Sequence, residues 1–441
     1  MCGAVVLKYN RVKNVLKFIF GRPASGKTYQ ILEKIKRQSA AGRQCVLIVP
    51  EQFSFESERA VLRTLGDKAA LGVTVTSFTR LCDEVGRYAG GIAGVTLTDA
   101  QKVIFMNRAL RSLETELTLW RKYCRSVSFA KTMLDTVGEF KINAVSPENL
   151  RAAAEETESA ALKAKLWNTA LIYETYDALV GERFLDPADR LTKLYRQLED
   201  FRYFEKKDVF IDSFKGFTGQ QFALIDRISA QADSLTVALT DAPEIKGEFG
   251  IFSNIRVSAE KIRRATKRYH MAEDEPLILG ARGTAAAGIA AVERLISGGT
   301  PKKTENDGSL TVCAADTAAE EAEFAVRNIR RLVRTENYRY RDFVIIARDA
   351  ERYDDFINAA CETYGVPCFS DKRRPLSAFP LAALADAAIQ AILKNDSESI
   401  LRFHKTGLGT LNTDEIAKLE NYVTLWNIEG NMWRREWVMD V

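Results

Sequence analysis

The apolar run Phe18-Ile19-Phe20 ends in a glycine-bearing polar turn, and helical spacing resumes at Tyr29-Gln30-Ile31-Leu32-Glu33-Lys34-Ile35. A short continuous apolar run bounded by a turn predicts a strand buried on both faces. The pattern repeats. Gln44-Cys45-Val46-Leu47-Ile48-Val49-Pro50 reads as a second buried strand, Glu51 to Arg59 leads into a helix, and Val73-Thr74-Val75-Thr76-Ser77-Phe78 is a third strand rich in β-branched residues. Strand, helix, strand, helix, strand is the alternation of a parallel α/β sheet. From Thr79 to about Lys207 the periodicity is helical, strongest over residues 100–119, 129–140 and 160–180, which predicts an all-helical insertion. The sheet then resumes with Lys207-Asp208-Val209-Phe210-Ile211-Asp212, a helix from about Gly219 to Ala232, and Ser234-Leu235-Thr236-Val237-Ala238-Leu239-Thr240-Asp241.

After a turn-rich linker, Gly298-Gly299-Thr300-Pro301-Lys302-Lys303 with Asn306-Asp307-Gly308, a second α/β unit is expected. Its elements are a strand from Leu310 to Ala315, a helix over residues 318–335, a buried strand Phe343-Val344-Ile345-Ile346-Ala347, and an apolar helix over residues 378–393.

The turn after Phe20 carries chemistry. Gly21-Arg22-Pro23-Ala24-Ser25-Gly26-Lys27-Thr28 is a complete G-x-x-x-x-G-K-T phosphate loop, set between a strand and a helix as that loop requires. Its backbone N–H groups, with Arg22, Ala24, Ser25 and the two glycines, would face an anion at the helix N-terminus. Lys27 would reach the β- and γ-phosphates of ATP, and the Thr28 hydroxyl would ligate Mg²⁺. Asp212 is a carboxylate at the end of a strand expected beside that of the phosphate loop.

Composition narrows the class. The chain has 441 residues, 46% hydrophobic and 28% charged, enough for several packed cores. No uninterrupted apolar stretch is long enough to span a bilayer, and residues 1–14 hold no apolar core with a cleavage site. The seven cysteines are scattered without a C-x-x-C pair, which predicts reduced thiols in a cytoplasmic protein. Two histidines far apart make histidine catalysis or a His-rich metal site a poor fit. The net charge of +4 is mild, and the basic run Lys261, Arg263, Arg264, Lys267 and Arg268 reads first as a solvated helix face.

A phosphate loop, a helical insertion within the first α/β domain and a second α/β domain resemble the plan of UvrD-like helicases. Three local strings resemble the AddB/RexB family, the B subunits of bacterial helicase–nucleases. They are Val49-Pro50-Glu51-Gln52-Phe53-Ser54-Phe55-Glu56, then Ile211-Asp212-Ser213-Phe214 with Phe217, Thr218 and Gln220, then Leu419-Glu420-Asn421-Tyr422-Val423 with Gly430 and Trp433. The resemblance implies an α/β fold of two RecA-like P-loop domains. The first would occupy residues 1–78 and 208–300 with the insertion at 79–207. The second would occupy 301–375, and a second helical insertion would begin at 376–441. Members of that family are much longer and carry a nuclease domain with an iron–sulfur cluster, so the resemblance also implies an N-terminal fragment.

The resemblance further implies DNA, single- or double-stranded, as a partner, a heterodimer with a helicase–nuclease A subunit, and no membrane association. Arg348 matches the arginine that touches the γ-phosphate in UvrD-like enzymes, with an ordinary surface arginine as the other reading. Phe53, Phe55 and Phe78 lie just past strand ends where aromatic faces would stack on bases, and Ser77, Thr79 and Arg80 would meet phosphates. Packing beneath the insertion is the alternative for the phenylalanines. Active helicases of this plan have Asp-Glu where this chain has Asp212-Ser213, the Asp holding Mg²⁺ through water, so the resemblance implies Asp212 as the second Mg²⁺ ligand. The catalytic residues are therefore unassigned, with Glu51 and Asp241 as nearby carboxylates. The expectation is an ATP-binding, degenerate motor used to scan single-stranded DNA. A competent translocase is the alternative, and a P-loop kinase explains the loop alone. Trp426, Trp433 and Trp437 read as core rather than as a nucleic-acid face.

Overall fold

The computed structural model describes residues 14–439 apart from 91–93, 182, 244–249, 281–285, 301–302, 306 and 371–375. Residues 1–13, read above for an export signal, and linker residues 301, 302 and 306 lie outside the described residues. Two compact units divide the chain, Met1–Leu310 and Thr311–Val441.

The first unit is built on strands β1 (Val15–Gly21), β2 (Gln44–Ile48), β3 (Val73–Thr76), β6 (Lys207–Ile211), β7 (Ser234–Thr240), β8 (Ala272–Glu273) and β9 (Leu277–Leu279), with β4 (Val95–Thr96) and β5 (Phe184–Leu185) apart. The sheet order is β3-β2-β6-β7-β1, with β8 and β9 on the outer side of β1, and every pairing is parallel. Side-chain parity explains why the central strands carry apolar residues at successive positions. Leu16, Phe18 and Phe20 join Val46, Ile48, Val209, Ile211, Leu235, Val237 and Leu239 in one core. The alternate residues Ile19, Cys45, Leu47, Val49, Phe210 and Ala238 fill another on the opposite face, beneath Ile31 and Ile35 of the helix Lys27–Ala40.

Because all strands run one way, the phosphate loop, Pro50, Ser77, Asp212 and Asp241 emerge at the same edge. Backbone pairing continues there, from Asp212 N to Ile48 O at 3.1 Å and from Asp241 N to Gly21 O at 3.3 Å. One expectation is corrected: β6 is not beside β1, because β7 lies between them and pairs with both. Ser234–Thr240 is buried along nearly its whole length, as a strand with two partners must be.

The helical region has its own core, running from Leu97 through Met106, Leu110, Met133, Val137 and Tyr176 to Val180. The flanking helices Phe78–Ala89 and Arg190–Asp200 instead pack Phe78, Leu81, Val85, Leu194 and Leu198 on the sheet. The insertion is also not wholly helical: where its chain enters and leaves, β4 and β5 pair in parallel, Val95 with Phe184 and Thr96 with Leu185.

The second unit differs from the α/β expectation. Among its described residues there are helices and no strand. The segments read as strands are open to solvent, with Val312 86%, Val344 79% and Ile346 86% exposed. An apolar run becomes a buried strand only with ladder partners, and neither segment pairs with another among the described residues. The helices Ala318–Thr335 and Ala350–Tyr364 share a small core through Val326, Ala360, Cys361 and Val366. Leu401, Val423 and Ile428 form another, against which Trp433 and Trp437 pack, with Tyr422 stacked on Trp437 at 5.5 Å between centroids.

A buried charge organises the helical core. Lys141, on helix Val127–Ile142, places Nζ 2.6 Å from Asp189, 2.7 Å from Asp177 and 3.3 Å from Asp186, and Tyr176 donates to Asp186 at 3.1 Å. Burial alone would lower the Lys141 pKa, but Asp189, Asp177 and Asp186 together carry it above the usual lysine value. Burial raises Asp189 and Asp177 above the usual carboxylate range, against the pull of Lys141. Replacing Lys141 by Met leaves those carboxylates uncompensated and should cost about 3–5 kcal/mol at neutral pH. Urea unfolding followed through Trp120 and Trp167 reads the loss. A raised carboxyl pKa stabilises the fold below its unfolded value, near about 3.9, and that contribution is lost as pH rises. The Lys141→Met deficit should therefore narrow as pH falls toward about 4. A midpoint unchanged by the substitution would contradict the role assigned to this cluster.

Candidate nucleotide site

The strand β1 delivers Gly21 to the sheet edge, and the chain turns back over it into the helix Lys27–Ala40. The turn is closed by Ser25 N donating to Arg22 O at 3.2 Å. Gly26 stands at the helix N-cap with φ 94°, a conformation open to glycine at little cost. Gly21 is required for space: a Cβ there would strike Ser25 Oγ and the Leu279 side chain. Ser25 is buried, and its Oγ has no hydrogen-bond partner. A buried hydroxyl with nothing to bond, inside a cradle that a single methyl group would fill, fits an anion seated in the loop.

Lys27 reaches back over the loop, its Nζ donating to Gly21 O and Arg22 O, each at 2.8 Å. Burial lowers its pKa, and the charge of Asp212 opposes that shift. Thr28 Oγ1 donates to Asp212 Oδ2 at 2.7 Å across 184 residues of sequence. Asp212 is itself buried, and its Oδ1 accepts from the backbone N of Ser213 at 2.7 Å, with Ser213 in the left-handed region at φ 67°. A hydroxyl and a carboxylate held together beside an ammonium group are the donor set for a divalent cation that also meets phosphate oxygens.

The other carboxylates are placed differently. Asp241 is buried and bound by Arg256, with Nη2 3.1 Å from Oδ1, while the same guanidinium donates to Ala242 O at 3.3 Å. Glu51 opens the exposed 3₁₀ turn Glu51–Phe53. Ser213 carries no acid or base near neutral pH.

The aromatic residues after the strand ends divide. Phe55 is 67% exposed and Phe53 37%, with the Arg59 guanidinium 5.7 Å from the Phe55 centroid. Phe78 is buried, edge-on to Phe214 at 5.4 Å, and Ser77 is buried as the N-cap that accepts from Arg80 N. Thr79 is exposed, and Arg80 pairs with Glu58 at 3.0 Å. Arg348 is an exposed residue of the second unit. The basic helix Ser253–Arg268 is largely occupied locally, Arg263 by Glu273, Arg264 by Glu260 and Arg268 by Asp226.

Two features escaped sequence reasoning. Arg22 of the loop is tied to Glu293 at 3.1 Å, from the helix Ala287–Ile296. The turn after Asp212 is also wedged against the helical region. Phe214 stacks on Phe217, a Cβ at Gly219 would overlap the Asn143 backbone, and Gln220 Nε2 donates to Ala188 O at 2.7 Å and Thr192 Oγ1 at 2.9 Å. The Phe214, Phe217, Thr218, Gln220 string was visible, but nothing local indicated that it joins the sheet to the insertion.

A family model described as ADDB, N-terminal matches residues 18–293. The B subunit of the ATP-dependent helicase/deoxyribonuclease of Caldanaerobacter subterraneus subsp. tengcongensis is 31% identical over 432 residues, 96% of this chain and 37% of that protein. Proteins of the same name from Clostridium tetani and Acetivibrio thermocellus are each 30% identical, over 96% of this chain and 38% of their own length. The chain thus spans 37–38% of the length of these relatives.

The cradle makes a stability prediction of its own. Gly21→Ala forces a methyl group into Ser25 and Leu279 and should cost about 1–3 kcal/mol. Gly138, in the helix Val127–Ile142, has nothing within 4 Å of its would-be Cβ. Gly138→Ala should gain about 0.4–1 kcal/mol through the unfolded chain. Denaturant midpoints for the two variants should move in opposite directions; a shift of the same sign in both would contradict the close approach at Gly21.

Proposed function

The chain belongs to the ADDB N-terminal family, and on that premise we propose that it is the ATP-binding, helicase-like part of a helicase–nuclease B subunit. Its site is the loop from Gly21 to Thr28 with Asp212. The observation that carries this reading is the 2.7 Å contact of Thr28 with Asp212 beside Lys27. Loop backbone and Ser25 would hold the phosphates, Lys27 would turn from its two carbonyls to the β- and γ-oxygens, and Thr28 and Asp212 would hold Mg²⁺. The bound Mg²⁺ would supply positive charge against the phosphates.

The motor is degenerate in this reading. General-base help is typically worth about 10²–10⁴ in rate. The residue after Asp212 is a serine, and Asp241 is engaged by Arg256. The relatives are named for a helicase/deoxyribonuclease, and we extend to this chain a role on DNA beside an A subunit, in double-strand break repair and recombination. Phe53 and Phe55, with Thr79 and Arg80, are the exposed residues suited to a passing single strand; each stacked base would gain about 1–3 kcal/mol. Ser77 and Phe78 would support that face from beneath.

Titration of a fluorescent ATP analogue tests the site. Lys27→Ala removes a charge-assisted contact worth about 1.5–3 kcal/mol, roughly ten- to hundredfold in affinity. Equal affinity in wild type and variant would overturn the assignment of the loop. Phosphate release with saturating single-stranded DNA should stay near background. Turnover of about one per second or faster, within the ordinary range of enzymes, would replace the degenerate motor with a competent translocase.

A further inference from the structure

The second unit holds three thiols that the nucleotide reading does not use, Cys313, Cys361 and Cys368. Cys361 lies near the end of the helix Ala350–Tyr364 and is buried in the small core with Val326 and Val366. The helix stops at Gly365, in the left-handed conformation at φ 62°, and Val366 N donates back to Cys361 O at 2.9 Å. This helix ending folds the chain over the last turn, so that the C″ residue packs against C3. Cys368 follows two residues after Val366, the spacing that returns a side chain to the same face in an extended chain. The Cys368 thiol is near enough to help raise the Cys361 pKa, and Cys368 is exposed. Both line a cavity of about 740 Å³ together with Phe343, Ile345, Asp354 and Phe369.

We propose that Cys361 and Cys368 form a reversible disulfide, a redox site in the second unit that reacts with low-molecular-weight disulfides such as glutathione disulfide. Cys368, open to solvent, attacks one sulfur of glutathione disulfide as its thiolate; the S–S bond of the oxidant breaks and one glutathione leaves as a thiolate. Cys361 then attacks the Cys368 sulfur, loses its proton, and expels the second glutathione. Two protein thiols are oxidised and one small disulfide is reduced to two thiols, so the exchange balances. Burial, with the neighbouring Cys368 thiol, pushes the Cys361 thiol up to about 11, which suits Cys361 to the second, intramolecular step rather than the first. The product ties the residues after Pro367 to the helix end and fixes one wall of the cavity.

The test uses the full chain. Residues 353–372 contain no internal Lys or Arg and include both cysteines, so one tryptic peptide reports the bridge. After equilibration at a series of glutathione to glutathione disulfide ratios and acid quenching, that peptide should appear lighter by two hydrogens and revert with dithiothreitol. Folding brings the sulfurs together, so the midpoint should lie at more reducing ratios in native buffer than in urea. In Cys361→Ser, Cys368 should carry glutathione instead. The proposal is overturned by a native midpoint equal to or more oxidising than that in urea. It is equally overturned if Cys368 pairs with Cys313, the other cysteine exposed among the described residues.

Discussion

The hydrogen bond from Thr28 to Asp212 depends on everything between them. It joins a residue on the first helix to one at the end of β6 across 184 positions. It forms only because β1 and β6 run parallel and end at the same edge. Neither strand touches the other, since β7 intervenes and pairs with both. Contact is made above the sheet instead, where the helix following the loop overlies the neighbouring strand ends. An edge of parallel strands gathers loops from distant sequence in this way, and ligand sites of open α/β folds lie there for that reason.

The same edge supports the proposal of a degenerate motor. Carboxylates are present near it; Glu51 is exposed, and the two at the strand ends are committed. Asp212 is engaged by Thr28 and the Ser213 backbone, and Asp241 is buried against Arg256. A buried charge removed from its partner would be costly, so Asp241 is held where it is by stability as much as by geometry. The turn that would carry a base instead carries Ser213 in a left-handed conformation and then Phe214, Phe217 and Gly219, which lock onto Phe78 and Asn143. That turn serves as a joint between sheet and insertion. On the far side of the joint, Lys141 binds Asp186 and Asp189 just where the insertion returns to the sheet.

The sequence carried the loop, the buried strands and the insertion because each is written in local pattern. The loop has fixed residues between an apolar run and a helix, and the alternate residues of Phe18-Ile19-Phe20 needed cores on both faces. Pairing is not local, and there the reading stopped. Nothing in Ser234–Thr240 says that it inserts between β1 and β6. Phe78–Ala89 and Arg190–Asp200 are amphipathic like the insertion's helices, and no residue in them states which core they join. Phe343 to Ala347 has the apolarity of a strand, but apolarity does not supply a partner, and Val344, Ile345 and Ile346 lie exposed. Arg22 with Glu293 is a contact across 271 positions that no spacing rule reaches.

The central claim is that Thr28 and Asp212 make one cation-dependent phosphate site. Its most direct test is calorimetric titration of an ATP analogue with and without Mg²⁺, in wild type and in Asp212→Asn. The account predicts that Mg²⁺ strengthens binding to the wild-type chain and that the carboxamide abolishes this gain while leaving metal-free binding in place. The same Mg²⁺ gain in both proteins would contradict it.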